Sequence, residues 1–304
     1  MYDIVIIGAG PAGMSAAIYG QRAGKSTLMI DKAGYGGNII NTPSVENYPG
    51  LKNVSGADFA QLLFDQATGF GAEYKSAEVK SITDAAGIKT VHTDGGDLDC
   101  KAVIIATGAT NRKLGLARED QLVGSGVSFC ATCDGMFFRG RDVAVIGGGN
   151  TALEDAEYLA GVANKVYLIH RRDKFRGEQS TVDRLAKLEN VEFVLNSSPV
   201  EFLGEGPITG LVIKNNETGE ERTLEVQGVF EAVGQVPQNQ NFKDVTELDE
   251  AGYIKAAEDC ETGRPGIFVA GDCRTKKVRQ LDTAAADGTV AALAASDYIN
   301  AHFA

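Results

Sequence analysis

Twice along this chain an apolar run empties into a cluster of glycines and then into a helix-forming stretch, and that repeated pattern restricts the fold more than any other feature. The first copy opens the sequence. Ile4-Val5-Ile6-Ile7 is apolar at every position, as a strand covered on both faces of a parallel sheet must be. It runs into Gly8-Ala9-Gly10-Pro11-Ala12-Gly13 and an alanine-rich segment to about Ala23; a second apolar run, Thr27-Leu28-Met29-Ile30, then ends on Asp31 with Lys32 beside it. Glycines at this spacing permit a tight turn and let a pyrophosphate approach the positive end of the following helix, while the acidic residue can accept hydrogen bonds from ribose hydroxyls. A bare glycine turn says little. The complete strand–glycine–helix–strand–acid unit predicts a dinucleotide site.

The second copy differs in one informative place. Val143-Ala144-Val145-Ile146 leads into Gly147-Gly148-Gly149-Asn150-Thr151-Ala152 and a helix to about Ala160, and the next strand, Val166-Tyr167-Leu168-Ile169, ends on His170-Arg171-Arg172 with Arg176 close behind. Where the first copy has a carboxylate, this one has a basic cluster. Arginines suit a ribose 2′-phosphate through charge-assisted, often bidentate contacts, so the second site is expected to take NADPH and the first a different dinucleotide. A charge run is usually only a solvated surface. Here it follows the strand end where the 2′ group should fall, which favours recognition.

Composition bounds the alternatives. With 304 residues the chain can form two ordinary domains, and 41 acidic against 29 basic residues (net charge −12) argue against a nucleic-acid binder or a membrane-surface protein. No apolar stretch approaches membrane-spanning length, and the N-terminus enters its first strand without the basic segment and cleavage site of a secretory leader, so a cytoplasmic protein is expected. The five cysteines, 100, 130, 133, 260 and 273, include one close pair, Cys130-Ala131-Thr132-Cys133. Such a pair can be half of a zinc site, a structural bridge or a redox dithiol. The remaining cysteines and the three histidines, His92, His170 and His302, are scattered, which disfavours zinc, so no metal is expected. A reducing compartment disfavours a staple and leaves redox chemistry. Asp134, directly after the pair, is a candidate proton donor to a departing thiolate and equally a candidate helix cap.

Late in the chain, Gly266-Ile267-Phe268-Val269-Ala270-Gly271-Asp272 is a short strand ending in Gly-Asp, and Arg279-Gln280-Leu281 begins a helix expected to continue through Ala295. An earlier run, Val103-Ile104-Ile105-Ala106-Thr107-Gly108, has a similar character. Together with the N-terminal unit these resemble the FAD-binding segments of two-dinucleotide flavoproteins. That resemblance implies that Asp272 holds the flavin's ribityl chain and that the last helix points its positive end at the flavin. FAD motifs near both ends and an NADPH motif between them predict an α/β protein of two nested, three-layer Rossmann-like domains. In this arrangement residues 1–113 and 244–304 form a discontinuous FAD domain and residues 114–243 an inserted NADPH domain carrying the cysteine pair.

Over essentially its full length the chain resembles the low-molecular-weight, bacterial-type thioredoxin reductases. The segments that carry this are Gly8–Gly13, Gly36-Gly37-Asn38, Glu46-Asn47-Tyr48-Pro49-Gly50, Cys130-Ala131-Thr132-Cys133-Asp134-Gly135, Gly147–Ala152, His170-Arg171-Arg172 with Arg176, Gly271-Asp272 and Arg279-Gln280. The resemblance implies electron flow from NADPH through FAD to a Cys130–Cys133 disulfide and on to thioredoxin or a thioredoxin-like protein. Cys130 would be the attacking thiol, Cys133 the flavin-facing one and Asp134 the proton donor, in a homodimer whose domains rotate between half-reactions. Three positions depart from the usual pattern: Asn38 stands where the family commonly has Gln, Asn150 where it has Asp or Ser, and Cys273 follows Asp272 as a buried small residue. Rival readings are a ferredoxin-dependent reductase of the same fold, a related ferredoxin–NADP reductase (which would lack the cysteine pair) and a non-catalytic flavin sensor.

Overall fold

The computed structural model describes residues 1–304 apart from positions 43, 53 and 304. The chain divides into two compact units, Met1–Thr110 with Val236–Ala304, and Asn111–Gln235. These boundaries stand at 110/111 and 235/236, against 113/114 and 243/244 read from the sequence. The physical reason is local pairing: Arg112 N–H donates to Gly234 O at 2.9 Å, so residues that look like polar linker already belong to the inserted unit.

In the first unit, among the described residues, a sheet runs in the order Glu73–Ser76, Thr27–Asp31, Tyr2–Ile7, Gly96–Ile105, Ile88–Thr93, Val79–Ala85, and Ile267–Val269 also pairs with Gly96–Ile105. The long strand Gly96–Ile105 serves two partners in succession. Its first half pairs antiparallel with Ile88–Thr93, while Val103–Ile105 lies parallel to Ile267–Val269 on one side and to Val5–Ile7 on the other. Successive strand residues point to opposite faces, and both faces are covered. Ile4, Ile6, Ala102 and Ile104 pack beneath Ala12, Ala16, Ala291, Ala292 and Ala295 of the helices Pro11–Arg22 and Leu281–His302, whereas Val5, Ile7, Val103 and Ile105 face Val91, Phe242 and Ile254. Small alanines at the helix contacts let those two helices approach closely, and they share the most extensive helix–helix packing in the chain. The final helix runs to His302, beyond the Ala295 expected from sequence, because Ile299 is still buried.

The second unit holds a parallel sheet in the order Val191–Val194, Lys165–Ile169, Asp142–Gly147, Gly228–Ala232, Val127–Ser128. Val143 and Val145 pack on Leu153, Ala156 and Leu159 of the helix Asn150–Ala160; Ala144 and Ile146 face an antiparallel meander spanning Ser197–Leu224, through Phe202, Leu211 and Ile213. Each unit is therefore an α/β, three-layer Rossmann-like body, the class expected. Among the described residues no helix is long and apolar enough to cross a membrane.

Candidate functional site

In the first unit, the Gly8–Gly13 turn closes between the ends of two adjacent parallel strands. Gly8 has φ +109° and its Cα faces the backbone, so a Cβ there would stand 2.2 Å from Ala106 O; only glycine is tolerated. Asp31 braces the turn directly: Oδ2 accepts from Ala9 N–H and Oδ1 from Ala33 N–H, both at 2.9 Å. Gly36 N–H donates to Ala9 O at 2.8 Å, which brings the Gly36-Gly37-Asn38 loop onto the same turn, and Asn38 Nδ2 donates to Ala109 O. Lys32 turns away to an exposed ion pair with Glu78.

The late strand delivers Asp272 to this turn. Gly271 lies against the first helix, since a Cβ on it would come within 2.9 Å of Ala12 Cβ. Among the described residues Asp272 Oδ1 is buried with no hydrogen-bond partner, and burial pushes its carboxyl above the ordinary range despite the nearby cations of Lys276 and Arg279. Gln280 caps the final helix through a reciprocal capping box with Thr283 and accepts from Asn47 Nδ2 at 3.2 Å, with Leu281 as the first helical residue. Arg279 is held by the carbonyls of Asp272 and Arg274 and stacks over Tyr253 at 4.2 Å. Thr107, next to Gly108, hydrogen-bonds the buried Asn239, whose amide also donates to Gly252 O and Cys273 O. Cys273 itself is fully buried, and burial pushes its thiol up to about 11.

In the second unit, Gly149 caps the helix Asn150–Ala160, and Gly147 lies tight against Ala152 and Ala232 O. Asn150 Oδ1 accepts from Glu178 N–H at 2.8 Å, and Arg176 N–H donates to Gly148 O at 2.6 Å, so the segment after the second strand folds back onto the turn. Thr151 is exposed on the first turn of the helix. The basic cluster separates into two parts. Arg171, Arg172 and Arg176 are exposed, but His170 is buried beneath Gly148, where a Cβ would meet its ring at 2.3 Å, and it stacks on Phe175. Burial and the three neighbouring arginines hold its pKa below the ordinary histidine value. His170 is thus a buried ring packed under the turn, where the sequence grouped it with the exposed cations.

Cys130 and Cys133 are joined in a disulfide on a short helix, Ala131–Asp134, with Cys130 at its N-cap. This helix sits on the helix of the second glycine motif: Ala131 is packed among Ala152, Ala156 and Leu159, and a Cβ on Gly135 would press into Tyr158 and Leu159. Asp134 lies half-buried beside the bridge. Its Oδ2 accepts from Ser128 Oγ at 2.7 Å, while Oδ1 is buried without a partner among the described residues. Burial raises its pKa, and the Ser128 hydrogen bond pulls part of that back. A carboxyl whose proton affinity is raised by burial, next in sequence to a disulfide cysteine, is a candidate to deliver a proton to a sulfur leaving as thiolate.

Sequence reasoning missed four residues that shape these sites. Ser128 holds Asp134; Asp155 accepts from the Ala131 backbone N–H, and burial drives its carboxyl up to about 7; Asn239 ties Thr107 to Cys273; and Asp287 accepts from Gly271 N–H at 2.9 Å. Of these, only Ser128 and Asp155 are near a motif in sequence, and nothing in residue type marks either one.

A family model described as pyridine nucleotide-disulphide oxidoreductase matches residues 2–288. A thioredoxin reductase from Listeria monocytogenes is 45% identical over 300 residues, covering 98% of this chain and 94% of that protein. One from Bacillus subtilis is 41% identical, covering 98% and 95%. The solved structure of thioredoxin reductase from Streptococcus pyogenes superposes with a TM-score of 0.94 at 38% identity, covering 99% of each chain. The cysteine pair is bonded, a carboxyl with a raised pKa follows it directly, and a glycine-turn helix supports it. With those relatives, the chain belongs to the pyridine nucleotide-disulphide oxidoreductase family and, within it, to the thioredoxin reductases.

Proposed function

We propose that the chain is an NADPH-dependent thioredoxin-disulfide reductase that passes an electron pair through FAD to the Cys130–Cys133 disulfide and then to thioredoxin or a thioredoxin-like protein. The observation that carries this reading is the bonded Cys130–Cys133 pair seated on the helix of the second glycine turn, with the partnerless Asp134 Oδ1 beside it. The first unit suits a flavin dinucleotide. Gly8, Gly10, Pro11, Ala12 and Gly13 offer a pyrophosphate-sized cradle with Asp31 at its edge, and the buried Asp272 Oδ1 needs a hydroxyl or N–H that no group among the described residues supplies. Gly36, Gly37, Asn38, Asn47, Thr107, Gly108, Gly271, Arg279, Gln280 and Leu281 would line the same group. When bound, FAD supplies a two-electron carrier between a nicotinamide and a disulfide. NADPH as substrate would lie on Gly147, Gly149, Asn150, Thr151 and Ala152, its 2′-phosphate on Arg171, Arg172 and Arg176.

Within the dithiol chemistry, Asp134 holds a proton until a sulfur departs, and Cys130, at the N-cap of its helix, attacks the partner's disulfide. Helix N-termini favour the thiolate that such an attack needs. The nicotinamide subsite and the disulfide belong to one unit, so each must be presented to the flavin in turn, which requires that unit to reorient. A homodimer working in the cytoplasm completes the reading.

The test is spectroscopic. The purified protein should be yellow, bleach on anaerobic NADPH, and recover colour when oxidised thioredoxin is added. Cys133→Ser should still bleach with NADPH yet lose thioredoxin reduction. Retained thioredoxin reduction in that variant would remove the disulfide from the path, and a parent that fails to bleach with NADPH would overturn the electron donor.

A further inference from the structure

Ser128 ends the short edge strand Val127–Ser128, opposite Phe230 in register, and is 4% exposed. Its hydroxyl stands among three polar atoms around the disulfide: Asp134 Oδ2 at 2.7 Å, Cys130 N at 3.1 Å and Cys130 O at 3.3 Å. A hydroxyl has one hydrogen and two lone pairs. The Cys130 N–H donates into one lone pair. The single hydrogen has two acceptors to choose from, and 2.7 Å is an ordinary O–H···O separation while 3.3 Å is long. It therefore goes to Asp134 Oδ2. That assignment makes the two carboxyl oxygens inequivalent, because Oδ1, buried and without a partner among the described residues, is the one left to carry a proton.

We infer that Ser128 is a positioning residue of the dithiol chemistry, its hydroxyl tying Asp134 Oδ2 to the Cys130 backbone so that Oδ1 delivers the proton to the departing sulfur. The inference rests on the function proposed above. In the step it serves, the disulfide takes up an electron pair from the reduced flavin and the Sγ–Sγ bond breaks. One sulfur leaves as a thiolate and takes the proton from Asp134; the other keeps its negative charge. Asp134 is left as a carboxylate in a half-buried site, and the Ser128 O–H is the hydrogen bond that stabilises it there. Burial and this hydroxyl are the two influences on the Asp134 carboxyl. The titratable group on the helix packed beneath is Asp155, which faces the Ala131 N–H, with Glu154 beside it in sequence.

The experiment uses the holoenzyme and compares Ser128→Ala with Ser128→Thr, which keeps the hydroxyl. In S128A, flavin content and NADPH bleaching should match the parent. Thioredoxin turnover should fall by about tenfold to a hundredfold, as expected for one lost hydrogen bond to a charged group, and the limb of the pH profile that reports Asp134 should move upward. S128T should restore both. In an Asp134→Asn background, adding S128A should change turnover by no more than about twofold, because the serine then has no acid to position. An unshifted limb in S128A, or full additivity with D134N, would overturn the inference. If S128A does not fold, Ser128→Cys, similar in size but a poor donor, is read by the same criteria. The limb can also be read from the rate at which dithiothreitol opens the disulfide. There neither NADPH nor thioredoxin takes part, so failure of the proposed function and failure of the Ser128 role give different results.

Discussion

The Arg274 guanidinium meets the Asp287 carboxylate at two points, Nε to Oδ2 at 2.8 Å and Nη2 to Oδ1 at 2.9 Å, with the side chains only 2% and 8% exposed. Lys276 Nζ adds a third contact at 2.9 Å, and Gly271 N–H a fourth. Burial pushes the Asp287 carboxyl up, but the hydrogen bonds from Arg274 and Lys276 outweigh it and hold the group below the ordinary range. The cluster fastens the Gly271–Cys273 turn, and with it Asp272, to the final helix. Removing Asp287 leaves two buried cations, Arg274 keeping only a longer, 3.6 Å contact with the exposed Glu258. Asp287→Ala should therefore cost about 3–5 kcal/mol of stability, measured by denaturant unfolding. It should also weaken flavin retention, because Asp272 loses its anchor. A variant as stable as the parent would show that the ion pair is not needed to hold this turn.

That cluster also shows where sequence reading stops. The first glycine turn could be read because strand, glycines, helix and acid are contiguous, and each residue type is required by its own local geometry. Asp287 lies on a helix whose alanine-rich pattern carries no mark of a buried charge partner; its role depends on Gly271 and Arg274 being brought alongside. Ser128 is six residues from Asp134, yet their contact depends on how the strand end turns into the redox helix, which periodicity does not encode. His170 is the opposite case. Its neighbours suggested a cation, but the close approach of Gly148 and stacking on Phe175 place it in the interior. The inserted unit's limits were blurred for a similar reason, since Arg112 and Gly234 look like linker until their backbones pair.

Asp155 gives the protein a pH-dependent cost. Burial lifts its carboxyl from 3.8 to about 7, so between those values the folded state binds a proton more tightly than the unfolded chain does. The favourable contribution is complete below the lower value and is lost as pH rises through the window to about 7. Asp155→Asn keeps an acceptor for the Ala131 N–H and removes the charge. The variant should melt at a higher temperature than the parent at pH 8, with the difference shrinking toward pH 5. Melting curves at three pH values suffice, and a difference that stays constant or reverses sign would count against a half-buried, titrating Asp155.

Arg171 and Arg172 stand exposed just beyond the Lys165–Ile169 strand, while His170 is turned inward, so on the function proposed here the 2′-phosphate would be recognised by these arginines with Arg176. A hydrogen bond to a charged group is worth about 1.5–3 kcal/mol, and each 1.4 kcal/mol is about tenfold in affinity. Replacing both arginines with alanine should raise KM for NADPH by at least about tenfold and leave KM for NADH within about twofold. The phosphate is remote from the reacting carbon, so the loss should appear in KM with kcat nearly unchanged. His170→Ala should behave differently: it removes the packing under Gly148, disturbs the turn that both nucleotides use, and should raise the two KM values together. Equal effects of the double arginine variant on NADPH and NADH, measured in steady-state thioredoxin reduction, would reduce the cluster to a solvated surface.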